Sequence, residues 1–178
     1  SAKHYVTIEY GVESVYEKTL KRVNRGHTFE ESKKAISETV SRGIHCGAHF
    51  IFGLPGESRE EMMQSAGIIS GLPLTTVKFH QLQVIKGTSM EEEYKANPND
   101  FGLFTWDEYK EFFISFLERL NPEIVVERFT SEAPPGLISS PRWGKKRAEG
   151  LMVEFENRME ELDTWQGKVY DLRMMNKE

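Results

Sequence analysis

Apolar residues change their spacing several times along the chain. The runs "HYVTIEY" (4–10), "IHCGAHFIF" (44–52), "TTVKFHQLQVI" (75–85) and "EIVVERF" (123–129) are short and rich in bulky residues. They are too short for typical helices and predict four strands. Between them the period lengthens. Met62, Ala66 and Ile69 share one helical face, and Tyr109, Phe112, Phe113, Phe116, Leu117 and Leu120 share another. Those aromatics predict core against a sheet. Strands separated by helices predict a parallel sheet with right-handed crossovers.

Turn and cap residues agree with this alternation. "SVYE" from Ser14, "TFEE" from Thr28, "SREE" from Ser58, "TSME" from Thr88 and "TWDE" from Thr105 all have the form of a capping box. Gly43 suits a helix end leading straight into strand two. "PPGL" at 134–137 breaks structure, and Pro141 is placed to open a last helix with Ser140 as cap. That helix repeats Ala148, Leu151, Met152, Phe155, Met159 and Leu162. The following "DTWQGKVYDLRMMNKE" has weak periodicity and predicts an arm that docks or frays. Without an internal repeat or low-complexity linker, residues 1–178 read as one domain with a terminal helix and arm from about 141. Four strands are about half of a closed barrel of ~250 residues. A doubly wound sheet would need no missing half, but "GVES" after strand one lacks the G-x-G-x-x-G of a dinucleotide loop.

Composition narrows the partners. The 178 residues are 38% hydrophobic and 29% charged, with a net charge of -5. That balance gives no general attraction to nucleic acid or an anionic membrane. "KTLKRVNR" at 18–25 is a local exception with four basic groups. No run approaches the 18 apolar residues of a membrane span, and the N-terminus has no signal-peptide apolar core. One cysteine, Cys46, rules out an internal disulfide framework and points to a reducing compartment, the cytoplasm.

Period-two alternation groups the candidate chemistry. Tyr5, Thr7 and Glu9 share a face of strand one, and His45, Gly47, His49 and Ile51 a face of strand two. Lys78, His80 and Leu82 do so on strand three, and Ile124, Val126 and Arg128 on strand four. Each strand thus carries an expensive polar group toward its C-terminal half, the end where α/β folds bind ligands. A sheet covered on both faces would read more apolar. Glu9, His49, His80 and Arg128 therefore suggest a polar concavity, although Glu9 and Arg128 also suit an ion pair and each histidine a core role. A His/His/Glu metal site would draw one ligand from each of three strands and lacks H-E-x-x-H. In "HFIFGLPGE" (49–57) Gly53 and Gly56 permit close backbone approach while Pro55 stiffens the turn, with Ser58 as the helix cap. No P-loop and no G-x-S-x-G elbow occurs. Cys46 faces away from His45 and His49 and reads as an inert core thiol.

The ordered blocks "IEYGVES", "NRGH", "HFIFGLPGES", "VKFHQLQVIKGT", "ERFTSEAP" and "DTWQGK" resemble the C-terminal part of bacterial radical S-adenosylmethionine proteins. The resemblance is to the YhcC-like family, relatives of the Elongator catalytic subunit, and covers nearly the whole chain. It implies a partial parallel (β/α) barrel of the radical SAM type, with about four strands present and the N-terminal strands missing. The family holds a [4Fe-4S] cluster on a C-x3-C-x2-C loop and cleaves S-adenosylmethionine to a 5'-deoxyadenosyl radical. One cysteine cannot hold that cluster, so the resemblance implies a piece of a longer protein that is inactive by itself. By position it implies cofactor contacts for Glu9, Glu13, Arg25, Ile51, Gly53 and Gly56, with Arg25 serving either the cofactor carboxylate or loop closure. Its substrate-side positions are His80, Gln83 and Arg128. Lys145 and Lys146 in "WGKKR" suit an acidic or nucleic-acid substrate or a solvated turn. The partners implied are the N-terminal half of the same protein, a reduced flavodoxin-like electron donor and, through the opened sheet, a second copy in a homodimer. The alternative is a structural or interaction module derived from such a barrel.

Overall fold

The computed structural model describes residues 4–131, 133–134, 136–141, 143 and 148–170. Four strands, β1 (Thr7–Glu13), β2 (His45–Phe52), β3 (Thr76–Gln81) and β5 (Val125–Arg128), form a parallel sheet in the order β1-β2-β3-β5. Two short strands, β4 (Val84–Ile85) and β6 (Ile138–Ser140), pair antiparallel. The helices are α1 (Glu17–Arg22), α2 (Phe29–Ser41), α3 (Arg59–Ser70), α4 (Ser89–Ala96), α5 (Trp106–Leu117) and α6 (Ala148–Glu161), with a 3-10 turn at Pro98–Asp100. This is the expected α/β fold, a partial parallel sheet flanked by helices.

The helices begin where side chains satisfy their first N–H groups. Thr28, Ser58 and Thr105 form complete capping boxes with Glu31, Glu61 and Glu108. Thr88 caps α4, but Glu91 turns back to accept from the Gly87 N–H at 2.8 Å. The box expected at Ser14 does not form at all. β1 starts later than position 4 and runs through Glu13, which puts Ser14 at the strand exit. There the Ser14 hydroxyl donates to Glu57, and Glu17 accepts from the Phe29 N–H at 2.7 Å. Tyr16, without a side-chain cap, precedes α1.

One sheet face is a packed core. Cys46, Ala48, Phe50, Phe52, Val77 and Phe79 point into it and meet Met62, Ala66 and Ile69 of α3 and the aromatics of α5. Phe52 lies 4.9 Å from Phe116 and Phe79 lies 5.4 Å from Phe113, both edge-on, the arrangement favoured by the ring quadrupole. Phe155 of α6 closes the stack against Phe129 at 4.7 Å. The expected run 75–85 is not one strand. It breaks at Leu82, which joins Leu54, Val84 and Phe101 in a smaller core. Residues 163–170 of the expected arm dock: the Gly167 and Val169 N–H groups donate to the Leu117 and Glu118 carbonyls. Gln166 reaches the Asn121 and Ile124 carbonyls, both at 2.8 Å. The docking is at the end of α5 and the entry to β5, and residues 171–178 of the arm lie outside the described residues. The start of the last helix at Pro141 is also corrected, since α6 begins at Ala148 among the described residues.

Candidate functional site on the open face of the sheet

The opposite sheet face carries no packed helix among the described elements. Register places its side chains in rows across the strands. Glu9 pairs with Gly47, Gly47 with Thr76, His49 with Lys78, and Ile51 with His80. A β-bulge between β3 and β5 then makes Val77 pair with Val126 but Lys78 with Arg128, so Glu127 is the extra residue. Simple alternation grouped Arg128 with Ile124 and Val126. The structure corrects this: Ile124 and Val126 belong to the core side, and the bulge re-phases Arg128 onto the row of Lys78.

Lys78 is the hub of this face. Its Nζ lies 2.5 and 2.6 Å from the two Glu9 carboxylate oxygens and 3.2 Å from Glu127 Oε2. His49 Nε2 reaches Glu9 Oε2 at 2.8 Å. The Lys78 ammonium, and then His49, hold Glu9 below the usual carboxylate range, while Glu9 raises Lys78 in return. Gly47 lets Glu9 lie flat across the sheet, since a Cβ there would sit 3.1 Å from Glu9 Cγ and 2.7 Å from Thr76 Oγ1. His80 lies beyond, its ring 5.7 Å from that of His49, with a buried Nδ1 that has no partner. Burial first, then His49, Arg128 and Lys78, lower its pKa to about 4. Its imidazole is therefore neutral near pH 7.

A second set gathers at the strand exits. Glu13 adopts φ 70°, a left-handed conformation that a non-glycine residue keeps only where its surroundings enforce it. Burial raises its pKa, opposed by Arg25 at 3.4 Å. Arg25 also donates to the Gly11 carbonyl at 2.6 and 3.2 Å, so it closes this loop. At the exit of β2, Gly53 has φ +94°, and a Cβ there would lie 2.8 Å from the Gly102 carbonyl oxygen. Segment 98–105 thus requires this glycine. Arg59 holds that segment by donating to the Gly102 and Leu103 carbonyls at 2.7 Å with its guanidinium over the Phe104 ring. Gly56 has φ +82° and its N–H donates to the Asp100 carbonyl. Ile51 is half-buried against the smaller core. Gln83 donates to the Ser131 carbonyl at 3.3 Å, beside the tighter Gln81–Ser131 pairing at 2.9 Å.

Glu9, His49, Lys78, His80, Glu127 and Arg128 therefore share one face. Glu13, Arg25, Ile51, Gly53, Gly56 and Gln83 stand around the strand exits. Sequence reasoning placed Lys78 on a face without giving it a role, though its spacing two residues before His80 was the available signal. It missed Glu127, which only the bulge recruits, and the Ser14–Glu57 link between the exits of β1 and β2. The basic segment 18–25 is largely neutralised. Lys18 pairs with Glu61, Arg22 with Glu93 and Asp100, and Arg25 with Glu13. Lys145 and Lys146 lie outside the described residues.

This polar face, bounded by parallel strands with helices only behind them, is the geometry of a barrel lumen opened along one side. Comparison with known proteins agrees. Residues 2–68 match the Radical SAM superfamily and residues 74–161 the Radical SAM C-terminal domain. The chain belongs to the radical SAM superfamily. An uncharacterised protein of Methanocaldococcus jannaschii is 39% identical over 139 residues, covering 78% of this chain and 42% of that protein. YtqA of Bacillus subtilis is 32% identical over 93% of this chain and 51% of its own length. Protein YhcC of Escherichia coli is 28% identical over 88% of this chain and 50% of its own. The chain thus spans about half the length of these curated relatives. A solved structure of the archaeal Methanocaldococcus infernus Elp3 with an N-terminal deletion shares the fold. Its TM-score is 0.75 at 24% identity, over 90% of this chain and 37% of that one.

The residues of this radical SAM chain do not fit an iron-sulfur cluster. Cys46 is its one cysteine, enclosed on the helix-covered face, where burial pushes the thiol up and away from thiolate. Among the described residues no three His, Cys, Asp or Glu side chains converge to hold a metal ion. Among the same residues no helix is long and apolar enough to cross a membrane.

Proposed function

We propose that this chain supplies the cofactor-and-substrate half of a radical S-adenosylmethionine barrel, with the cluster thiolates provided by another segment of the same protein. The observation that carries the reading is the uncovered polar sheet face. A parallel sheet ordinarily hides both faces, and a Glu9–Lys78–Glu127 network makes sense where that face becomes a lumen. In this reading Glu13, at its enforced left-handed position, and Ile51 at the neighbouring exit address the adenosyl part of the cofactor. Arg25, Gly53 and Gly56 fix the loops that carry them, and Glu9 lines the cofactor side. His80, Gln83 and Arg128 face the substrate. The cluster, when bound elsewhere in the protein, supplies the electron for reductive cleavage, and a flavodoxin-like protein is a suitable donor.

Anaerobic reconstitution tests this. The 178-residue chain is expected to take up no stoichiometric iron and sulfide. Joined behind a family segment carrying C-x3-C-x2-C, it is expected to bind a cluster and release 5'-deoxyadenosine on reduction. A stable cluster on the chain alone, or a clustered protein that never cleaves S-adenosylmethionine, overturns the reading. In isolation the chain also leaves the β1 edge open next to exposed Tyr5 and Val6, and open edges recruit strands. We expect a homodimer in light scattering across a concentration series; a monomer at high micromolar concentration counts against it.

A further inference from the structure

Among the described residues, the lysine and arginine side chains near the strand exits have oxygen partners, Arg128 excepted. Lys78 lies between Glu9 and Glu127, Arg25 between Glu13 and the Gly11 carbonyl, and Arg22 between Glu93 and Asp100. Arg128 has no carboxylate or carbonyl partner among the described residues, although it sits in register beside Lys78. The bulge explains how this comes about. It sends Glu127, the one acid of β5, to Lys78 and leaves the next residue without an oxygen partner among the described residues.

Arg128 is exposed, and two features of its surroundings bear on what it could hold. His80, next along β3, feels Arg128 electrostatically and keeps an unpartnered Nδ1. That nitrogen is enclosed and His80 stands outside the wall of the neighbouring cavity, so the ring is a neutral neighbour that senses the charge at Arg128. Arg128 also lines a cavity of about 690 Å³ between β5 and α6, with Thr130 and Met152 among its walls. The carboxylates of Glu127 and Glu149 line it too. Glu127 is met by Lys78, and Glu149 stands on the facing α6 wall, so an anion would seat against the sheet.

We propose that Arg128 binds an oxyanion of the substrate, a carboxylate or a phosphate, in the cavity it lines with Thr130. The planar guanidinium presents two parallel N–H donors that match either group. The inference rests on the substrate-side placement of Arg128 in the reading above and adds the chemical class of the ligand.

Inorganic phosphate and, separately, acetate are titrated into the chain at constant ionic strength while arginine side-chain N–H and histidine ring signals are followed by NMR. We expect saturable shifts at Arg128 and His80 with at least one anion, the tighter of the two giving the class. Arg128→Gln is expected to weaken binding roughly tenfold or more, the loss of a charge-assisted hydrogen-bond pair. Arg128→Lys keeps the charge without the fork and should fall between. Arg42→Gln, on the exposed end of α2, should bind like the unaltered chain. Absence of saturable binding by both anions, or equal affinity in Arg128→Gln, overturns the proposal. The titration needs neither cluster nor S-adenosylmethionine, so its failure is distinct from failure of reductive cleavage.

Discussion

His80 makes stability depend on pH with a sign the structure dictates. Its pKa is lowered from 6.5 to about 4 by burial and by the cations around it. In the unfolded chain the ring takes up a proton near its ordinary value; in the fold it does so only near pH 4. Between those values the unfolded state holds more protons, so acidification favours unfolding. The stabilising contribution is complete above pH 6.5 and is lost as the pH falls toward 4. The full difference corresponds to about 3 kcal/mol at ~1.4 kcal/mol per decade. Because the ring is partly exposed, solvent screening reduces this to about 1–2 kcal/mol. Urea unfolding of the chain and of His80→Gln at pH 7.5 and pH 5 isolates the effect. The native chain is expected to lose about 1–2 kcal/mol more than the variant over that range. Arg128→Met should move the His80 ring titration, followed by NMR, upward by removing one repelling charge. A native His80 that titrates at or above 6.5, or equal losses in chain and variant, would refute the reasoning.

Substitutions at four further positions probe the supports of the site. Glu57 is 7% exposed and burial raises its pKa, so its charge is a cost near neutrality that Glu57→Gln removes while keeping a partner for Ser14. Denaturation at pH 7 should show a gain of about 1 kcal/mol, opening as pH rises from 4.5 through the folded value. Glu57→Ala should be destabilised at every pH. Lys78→Met leaves Glu9 and Glu127 without their shared cation; Glu9 should titrate higher by NMR, with a loss of about 1–2 kcal/mol in urea that shrinks in salt. Thr105→Ala removes a complete capping box and should cost about 1 kcal/mol in thermal unfolding. Ser14→Ala should leave α1 unchanged by amide exchange, because that serine caps no helix.

Much of the candidate site could be read from spacing alone. Glu9, His49 and His80 fall two residues apart from neighbours that the pleat puts on the same side, and all three share the open face. Gln83 was legible as a polar residue near a strand end, but the break at Leu82 was not. Both halves of "HQLQVI" have strand character, and β4 forms because Ile138–Ser140 lies opposite it. Ser14 shows the limit of local motifs. Its spacing to Glu17 suits a cap, yet Glu57, distant in sequence, takes its hydroxyl.

Local chemistry alone determined the strand and helix alternation, three complete capping boxes, the aromatic face of α5 and the inert placement of Cys46. Each depends on a backbone period or on contacts a few residues apart, which sequence states directly. The tertiary structure decided which charges meet. Strand register brought Lys78 between Glu9 and Glu127, and one extra residue in β5 turned Arg128 away from the side its parity assigned. Register and bulges arise from pairing between distant segments, where a shift of one residue reverses every side chain.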